Sequence, residues 1–285
     1  MITTCIGSNN NLPYLKLAIE SIKKNHHFKD TKIIVAAENC TDGTNEWLEE
    51  NKERLNIQPI IIDCPDDTCG IGYGMNEMAK VVETEFIHFL HADMYVAPDQ
   101  DLALLKLFDK YPNEKLVVTS HRVEPNVFVG TSSRPGVIIT PNNEFGAFHH
   151  DFRQDVFDEW ATEFTKENEE YEIPLAWGCS FMIRKSDWDE SGGNDPQYNP
   201  AAFEDHDLFL TMRHKGFKFV LTGSSMVYHF ASRSFNSNFP NDVMTRSNRL
   251  LAFENRNAGL FIKKWGGLPM FDEYGMICGV RPIST

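Results

Sequence analysis

An α/β fold with a mostly parallel central sheet flanked by helices is the architecture this chain of 285 residues predicts. Three observations predict it. Short apolar runs alternate with amphipathic segments through roughly the first third, each run closes in a polar turn, and the composition, 41% hydrophobic and 24% charged, is that of a folded globular chain.

Residues 2–6 (ITTCI) form the first apolar run, followed by the turn Gly7-Ser8-Asn9-Asn10-Asn11. Leu15, Ala18, Ile19 and Ile22 then recur at helical spacing. The unit repeats: residues 32–37 read as a strand, residues 38–43 as its turn and residues 44–55 as a helix. Residues 60–62 make a third strand, 70–82 a third helix and 85–90 a fourth strand. In such a sheet, ligands bind beyond the carboxyl ends of the strands, so Glu38, Asp42 and Asp93 converge although they are distant in sequence. After Asp93 the alternation weakens. A helix is expected near 102–110, a strand near 116–119, and then an irregular stretch over 122–174 suited to carrying specificity. The acidic run over 163–172 reads as a solvated face.

One domain is expected, with the regular alternation in a first half over residues 1–95 and a less regular second half with a C-terminal segment over 96–285. The net charge of −14 opposes sequence-independent binding to a phosphate backbone, so nucleic acid is disfavoured as a partner. No basic leader precedes an apolar segment and no run of about 18 apolar residues occurs, which leads to the expectation of a cytoplasmic protein without an integral membrane segment. The six cysteines are scattered and lack CxxC spacing, and are expected to be reduced thiols.

Two clusters carry chemistry. The apolar run Phe89-Leu90 stops abruptly at His91-Ala92-Asp93, and about 110 residues later comes Phe203-Glu204-Asp205-His206-Asp207. An imidazole and carboxylate at a strand end, complemented by a distant acidic group, suit metal-assisted group transfer. Gly70-x-Gly72-x-Gly74 lacks the spacing of a dinucleotide fingerprint.

The order of these motifs resembles the family 2 glycosyltransferases of the GT-A (nucleotide-diphospho-sugar transferase) fold. Residues 4–10 resemble the opening strand and donor loop, with Gly7 where the family often has Pro, and residues 38–44 resemble the second loop. His91-Ala92-Asp93 stands in place of Asp-x-Asp, residues 177–184 resemble the strand shaping the acceptor side, and Glu204-Asp205-x-Asp207 resembles the segment of the catalytic base. Val227-Tyr228-His229 with Ser232 resembles the late histidine of some GT-A metal sites, and residues 257–265 the segment that follows.

The resemblance implies an inverting, metal-dependent transfer of a sugar from a nucleotide-diphosphate donor, UDP-sugar favoured, to a hydroxyl of a glycan, glycolipid precursor or small acceptor. It implies Asp205 as the base and Asp93, His229 and His91 around Mn²⁺ or Mg²⁺. Gly7, Asn9, Glu38, Asp42, Asn76, His91, Ala92 and Asp93 would line the donor, with Glu38 at the base; Trp177, Gly178, Glu204 and Asp205 would meet the acceptor. Trp160, Tyr171 and Trp188 offer further aromatic faces in that half. Two alternatives stand beside this reading. One is a catalytically degenerate nucleotide- or carbohydrate-binding scaffold, motivated by the altered His91-Ala92-Asp93. The other is a sugar nucleotidyltransferase, which the lack of Lys or Arg over residues 7–11 disfavours.

Overall fold

A computed structural model describes all residues except 66–67, 127–134, 141–143, 179, 232, 234–242 and 284–285. Cys179 and Ser232, both within the motifs above, lie outside the described residues.

The expected alternation is present as β1 (Ile2–Ser8), α1 (Leu12–Asn25), β2 (Lys32–Glu38), α2 (Thr44–Leu55), β3 (Ile57–Ile62), α3 (Ile71–Lys80) and β4 (Phe86–His91). These four strands are parallel, in the spatial order β3-β2-β1-β4. β1 and β2 are buried on both faces: Ile6, Ile33 and Val35 pack with Leu15, Ile19 and Ile22 of α1, whereas Cys5, Ile34 and Ala36 pack with Met75, Met78 and Ala79 of α3. Strands covered by helices on both sides read as unbroken apolar runs. β3 begins three residues earlier than expected and includes Pro59, which an edge strand tolerates because one row of its amides pairs with nothing.

The second half continues the sheet with β5 (Met94–Val96), α4 (Gln100–Lys110), β6 (Leu116–Pro125), β7 (Val137–Thr140), α5 (Gln154–Glu167), β8 (Glu172–Ile173), β9 (Phe181–Arg184) and α6 (Lys185–Ser191). A 3₁₀ turn (Pro196–Tyr198), α7 (Glu204–His214), β10 (Lys218–His229), α8 (Val243–Trp265), β11 (Gly267–Phe271) and β12 (Ile277–Pro282) complete it. β9 lies antiparallel between β4 and β6, and β10 runs parallel to β6 and antiparallel to β5. β4, β6 and β10 therefore point the same way, and their carboxyl ends share one edge of the sheet.

Three expectations need correction. The stretch 122–174 is not irregular throughout: it contains the end of β6, all of β7 and the helix α5, which buries Phe157 and Ala161 against Tyr95, Phe145 and Tyr228. Of the acidic run over 163–172, Glu163 and Glu167 are exposed on that helix and Glu169 and Glu170 are exposed just after it, whereas Glu172 of β8 accepts from Lys110 and Tyr111. The strand expected at 116–119 runs on to Pro125, because pairing with β10 and β7 overrides the polar residues His121, Arg122 and Glu124. The cysteines are not all free thiols: the loop after β3 turns back so that the Cα atoms of Cys64 and Cys69 lie 6.3 Å apart, joined in a disulfide. Among the described residues no helix is long and apolar enough to cross a membrane.

Candidate active site

The shared edge collects His91 from β4, Glu124 from β6 and His229 from β10. β5 brings in Asp93, because Met94 is opposite His229 in register and the Phe230 amide donates to the Asp93 carbonyl at 3.0 Å. The side-chain ligand atoms of His91, Asp93 and His229 all lie within 4.8 Å of one another. His229 Nε2 is 3.6 Å from Asp93 Oδ1, and the other Asp93 oxygen accepts the Arg233 amide at 3.0 Å.

The state of each group suits a cation. Burial pushes the His91 imidazole down to about 4 against the opposing pull of Asp93, so its ring is neutral near pH 7. Its Nε2 is buried without a hydrogen-bond partner. Burial works against the Asp93 charge, but His229, His91 and the Arg233 amide and guanidinium outweigh it and hold the carboxyl below its ordinary range. His229 Nδ1 is 2.8 Å from Glu124 Oε1, whose carboxylate also meets Arg122 Nε at 3.0 Å. With a cation in place, this buried carboxylate acceptor would keep the proton on Nδ1 and free the Nε2 lone pair, the arrangement that orients metal-binding imidazoles. Two imidazole nitrogens and one carboxylate, with an orphaned buried nitrogen among them, fit a divalent metal.

The second cluster lies near the first: Asp205 packs against Gly178, whose neighbour Trp177 stacks on Arg122 of β6, and Asp205 is within electrostatic reach of His91. Asp205 is the second residue of α7, which follows two consecutive residues with positive φ, Ala202 at 75° and Phe203 at 71°. Non-glycine residues held there store strain, which surrounding structure must offset. The offset comes from Asn257 of α8: its buried amide nitrogen lies 2.8 Å from each of the carbonyls of Tyr198, Ala201 and Ala202. Gly178 leaves room for Asp205, because a Cβ there would stand 2.8 Å from the Asp205 Cβ. Neighbouring Trp177 stacks under the Arg122 guanidinium at 4.3 Å. Glu204 is raised to about 8 by burial and then by Asp205, and its Oε2 is buried without a partner. Asp207 is structural, accepting from Tyr198, Trp265 and Lys264.

Other expected donor residues fare unequally. Gly7 pairs with His91 in register, and among the described residues, its chain neighbours aside, no atom lies within 4 Å of where its Cβ would be. The Ala92 amide donates to the Gly7 carbonyl. Asn9 donates to the Glu38 carbonyl at 2.6 Å. Glu38 is buried against Gly74 of α3, and burial pushes its carboxyl up to about 8. Asp42 binds the Leu12 amide and the Thr44 amide and hydroxyl, fixing the starts of α1 and α2, while it also lines a cavity of about 600 Å³ with Asn10, Tyr14 and His149. Asn76 is occupied elsewhere, both amide atoms being spent on the backbone of Asn194. Trp188 is buried in the core and Trp160 packs half-buried against it, whereas Tyr171 is exposed. Sequence reasoning passed over Arg122, Glu124, Arg233 and Asn257. The alternation Arg122-x-Glu124 at the end of an apolar strand was the available signal for the first two.

The family model described as glycosyl transferase family 2 matches residues 3–191. No curated protein matches the chain. Among solved structures, GalNAc-T7 in complex with UDP, GalNAc and Mn²⁺ superimposes with a TM-score of 0.58 at 14% identity, covering 80% of this chain and 43% of its own. TarS of S. aureus superimposes at 0.55 and 14%, covering 90% and 43%, and its 1–349 form at 0.52 and 14%, covering 92% and 73%. The chain thus spans under half the length of the first two, and these likenesses establish the shared fold.

Proposed function

The chain belongs to glycosyl transferase family 2, and on that premise we propose that it moves a sugar, with inversion, from a nucleoside-diphosphate donor to a hydroxyl of a glycan or other small acceptor. The observation that carries the reading is the convergence of His91, Asp93 and His229 opposite Asp205. Those three side chains would hold Mn²⁺ or Mg²⁺, which would supply positive charge against the departing diphosphate. The two imidazoles favour Mn²⁺. Glu124 orients His229. Asp205, 41% exposed at its side chain and anchored by the His206 amide to Oδ1 at 2.7 Å, takes the proton of the acceptor hydroxyl as its oxygen attacks the anomeric carbon. Asn9 and Glu38 line the base end of the donor, with UDP the favoured nucleotide.

Thermal stability with UDP, GDP, TDP and CMP, each with Mn²⁺, Mg²⁺ or chelator, tests this. A ligand at about 100 times its Kd stabilises by roughly 2.7 kcal/mol. A metal-dependent shift with one diphosphate is expected; no shift with any nucleotide refutes donor binding.

A further inference from the structure

The C-terminal hairpin carries a feature that neither the metal site nor the acidic cluster explains. Phe271, the last residue of β11, is 47% exposed, and the adjacent Met270 is 45% exposed. The ladder is irregular there: Met270 pairs with Gly279 and Phe271 with Ile277, so Cys278 is passed over. Such bulges re-aim side chains. Here the aromatic ring is directed at α7, with the Phe271 and His206 ring centroids 5.1 Å apart. His206 is the residue after Asp205 and is backed by Phe203 at 5.4 Å. An ion pair from Arg213 to Asp272 at 3.7 Å ties the hairpin to the same helix. A half-exposed aromatic pair therefore adjoins Asp205 and the unpartnered buried carboxyl oxygen of Glu204.

We infer that His206 and Phe271 form an acceptor platform that takes the apolar C–H face of a pyranose ring, so that the acceptor is itself a glycoside. The inference rests on the glycosyl-transfer reading above. A sugar ring has one flat apolar face and a rim of hydroxyls, and this patch offers an aromatic face beside two carboxyl groups. An open-chain polyol has no continuous C–H face to lay on Phe271. The bulge gives the aromatic ring its direction, and the ion pair gives it a fixed distance from α7.

The test uses the full chain with UDP and Mn²⁺ and reads saturation-transfer NMR of methyl β-D-glucopyranoside, methyl β-D-galactopyranoside and, as the open-chain control, ribitol. Saturation of ring C–H protons in at least one pyranoside is expected, with weaker transfer to ribitol. Phe271→Ala should weaken pyranoside binding about tenfold, Phe271→Tyr should retain it, and the UDP-dependent thermal shift should be unchanged in both. Binding of no pyranoside, equal binding of ribitol, an unaffected Phe271→Ala, or a changed oligomeric state of that variant on sizing overturns the platform. Failure of the wild type to bind UDP is a separate result and sinks the donor reading.

Discussion

Gly178→Ala isolates the position of the proposed base. Gly178 has no positive φ, so alanine meets no backbone penalty, and the effect is spatial. The new Cβ would stand 2.8 Å from the Asp205 Cβ and 3.3 Å from its Oδ2. Carbon atoms rest at about 3.5 Å or more, so one of the two must retreat by roughly 0.7 Å. Asp205 is the one free to move, being partly exposed near the start of a helix, whereas Ser180, close by Gly178 in the chain, is buried with its carbonyl held by the Thr119 hydroxyl at 2.6 Å. A base misplaced by nearly 1 Å costs on the order of 100-fold in turnover. The assay is release of nucleoside diphosphate from whichever donor stabilises the protein, with kcat and KM for donor resolved. The expected result is a kcat loss of about two orders of magnitude, an unchanged donor KM and a Tm within a few degrees of wild type. A variant with wild-type kcat refutes the placement of Asp205 as the base; a variant that loses donor binding as well refutes the separation of the two clusters.

Three further outcomes are expected. Glu124→Gln removes the carboxylate that fixes the His229 tautomer, and should weaken metal-dependent nucleotide binding roughly 10- to 100-fold in calorimetry with Mn²⁺; an unchanged Kd would remove Glu124 from the site. Asn257→Leu strips the amide from three carbonyls, costing about 2 kcal/mol in urea denaturation and lowering kcat through Asp205 while nucleotide binding persists; loss of stability without loss of kcat would make Asn257 merely structural. Burial lowers His26 and His88 to about 3, so the unfolded chain takes up their protons below about pH 6.5 while the folded chain does not. Their neutral forms are therefore fully compatible with folding above pH 6.5, and stability falls by about 1.4 kcal/mol per pH unit for each imidazole as the pH drops from there toward 3. Glu38 and Glu204, raised to about 8 from an ordinary 4.5, act in the opposite sense between those two pH values, where the folded chain holds a proton that the unfolded chain has released. The contribution is thus read as a difference: His88→Gln should flatten the acid limb by one imidazole's slope, and an unchanged slope would mean that His88 is not buried neutral.

Most of the first four strands was legible because a doubly covered parallel strand writes itself as an apolar run, as residues 2–6 and 32–37 do. The grouping of His91, Asp93 and His229 was legible for a related reason: a strand that ends in His91 or His229 delivers that side chain to the sheet edge by topology alone. What the sequence concealed lies in relations between distant segments. Glu124 looks like an ordinary charged residue until β6 is seen beside β10. Asn76 looks like a donor ligand until the Asn194 backbone is placed against it. α5 was hidden because its apolar positions, Phe157 and Ala161, are few and its other faces acidic. The Cys64–Cys69 pairing depends on a loop reversal that spacing alone does not encode.

The hold of Asn257 on the loop before Asp205 divides the molecule in a way its single sheet does not suggest. His91, Asp93 and His229 precede Asn257 in the chain and are positioned by strand ends, whereas Asp205 depends on a side chain contributed afterwards by α8. With the Asn257 contacts removed, the side chains proposed to hold the donor would keep their strand-end positions while the proposed base lost the support of its loop. On that proposal recognition and turnover rest on different stretches of chain, and disturbance of α8 would impair turnover before donor binding.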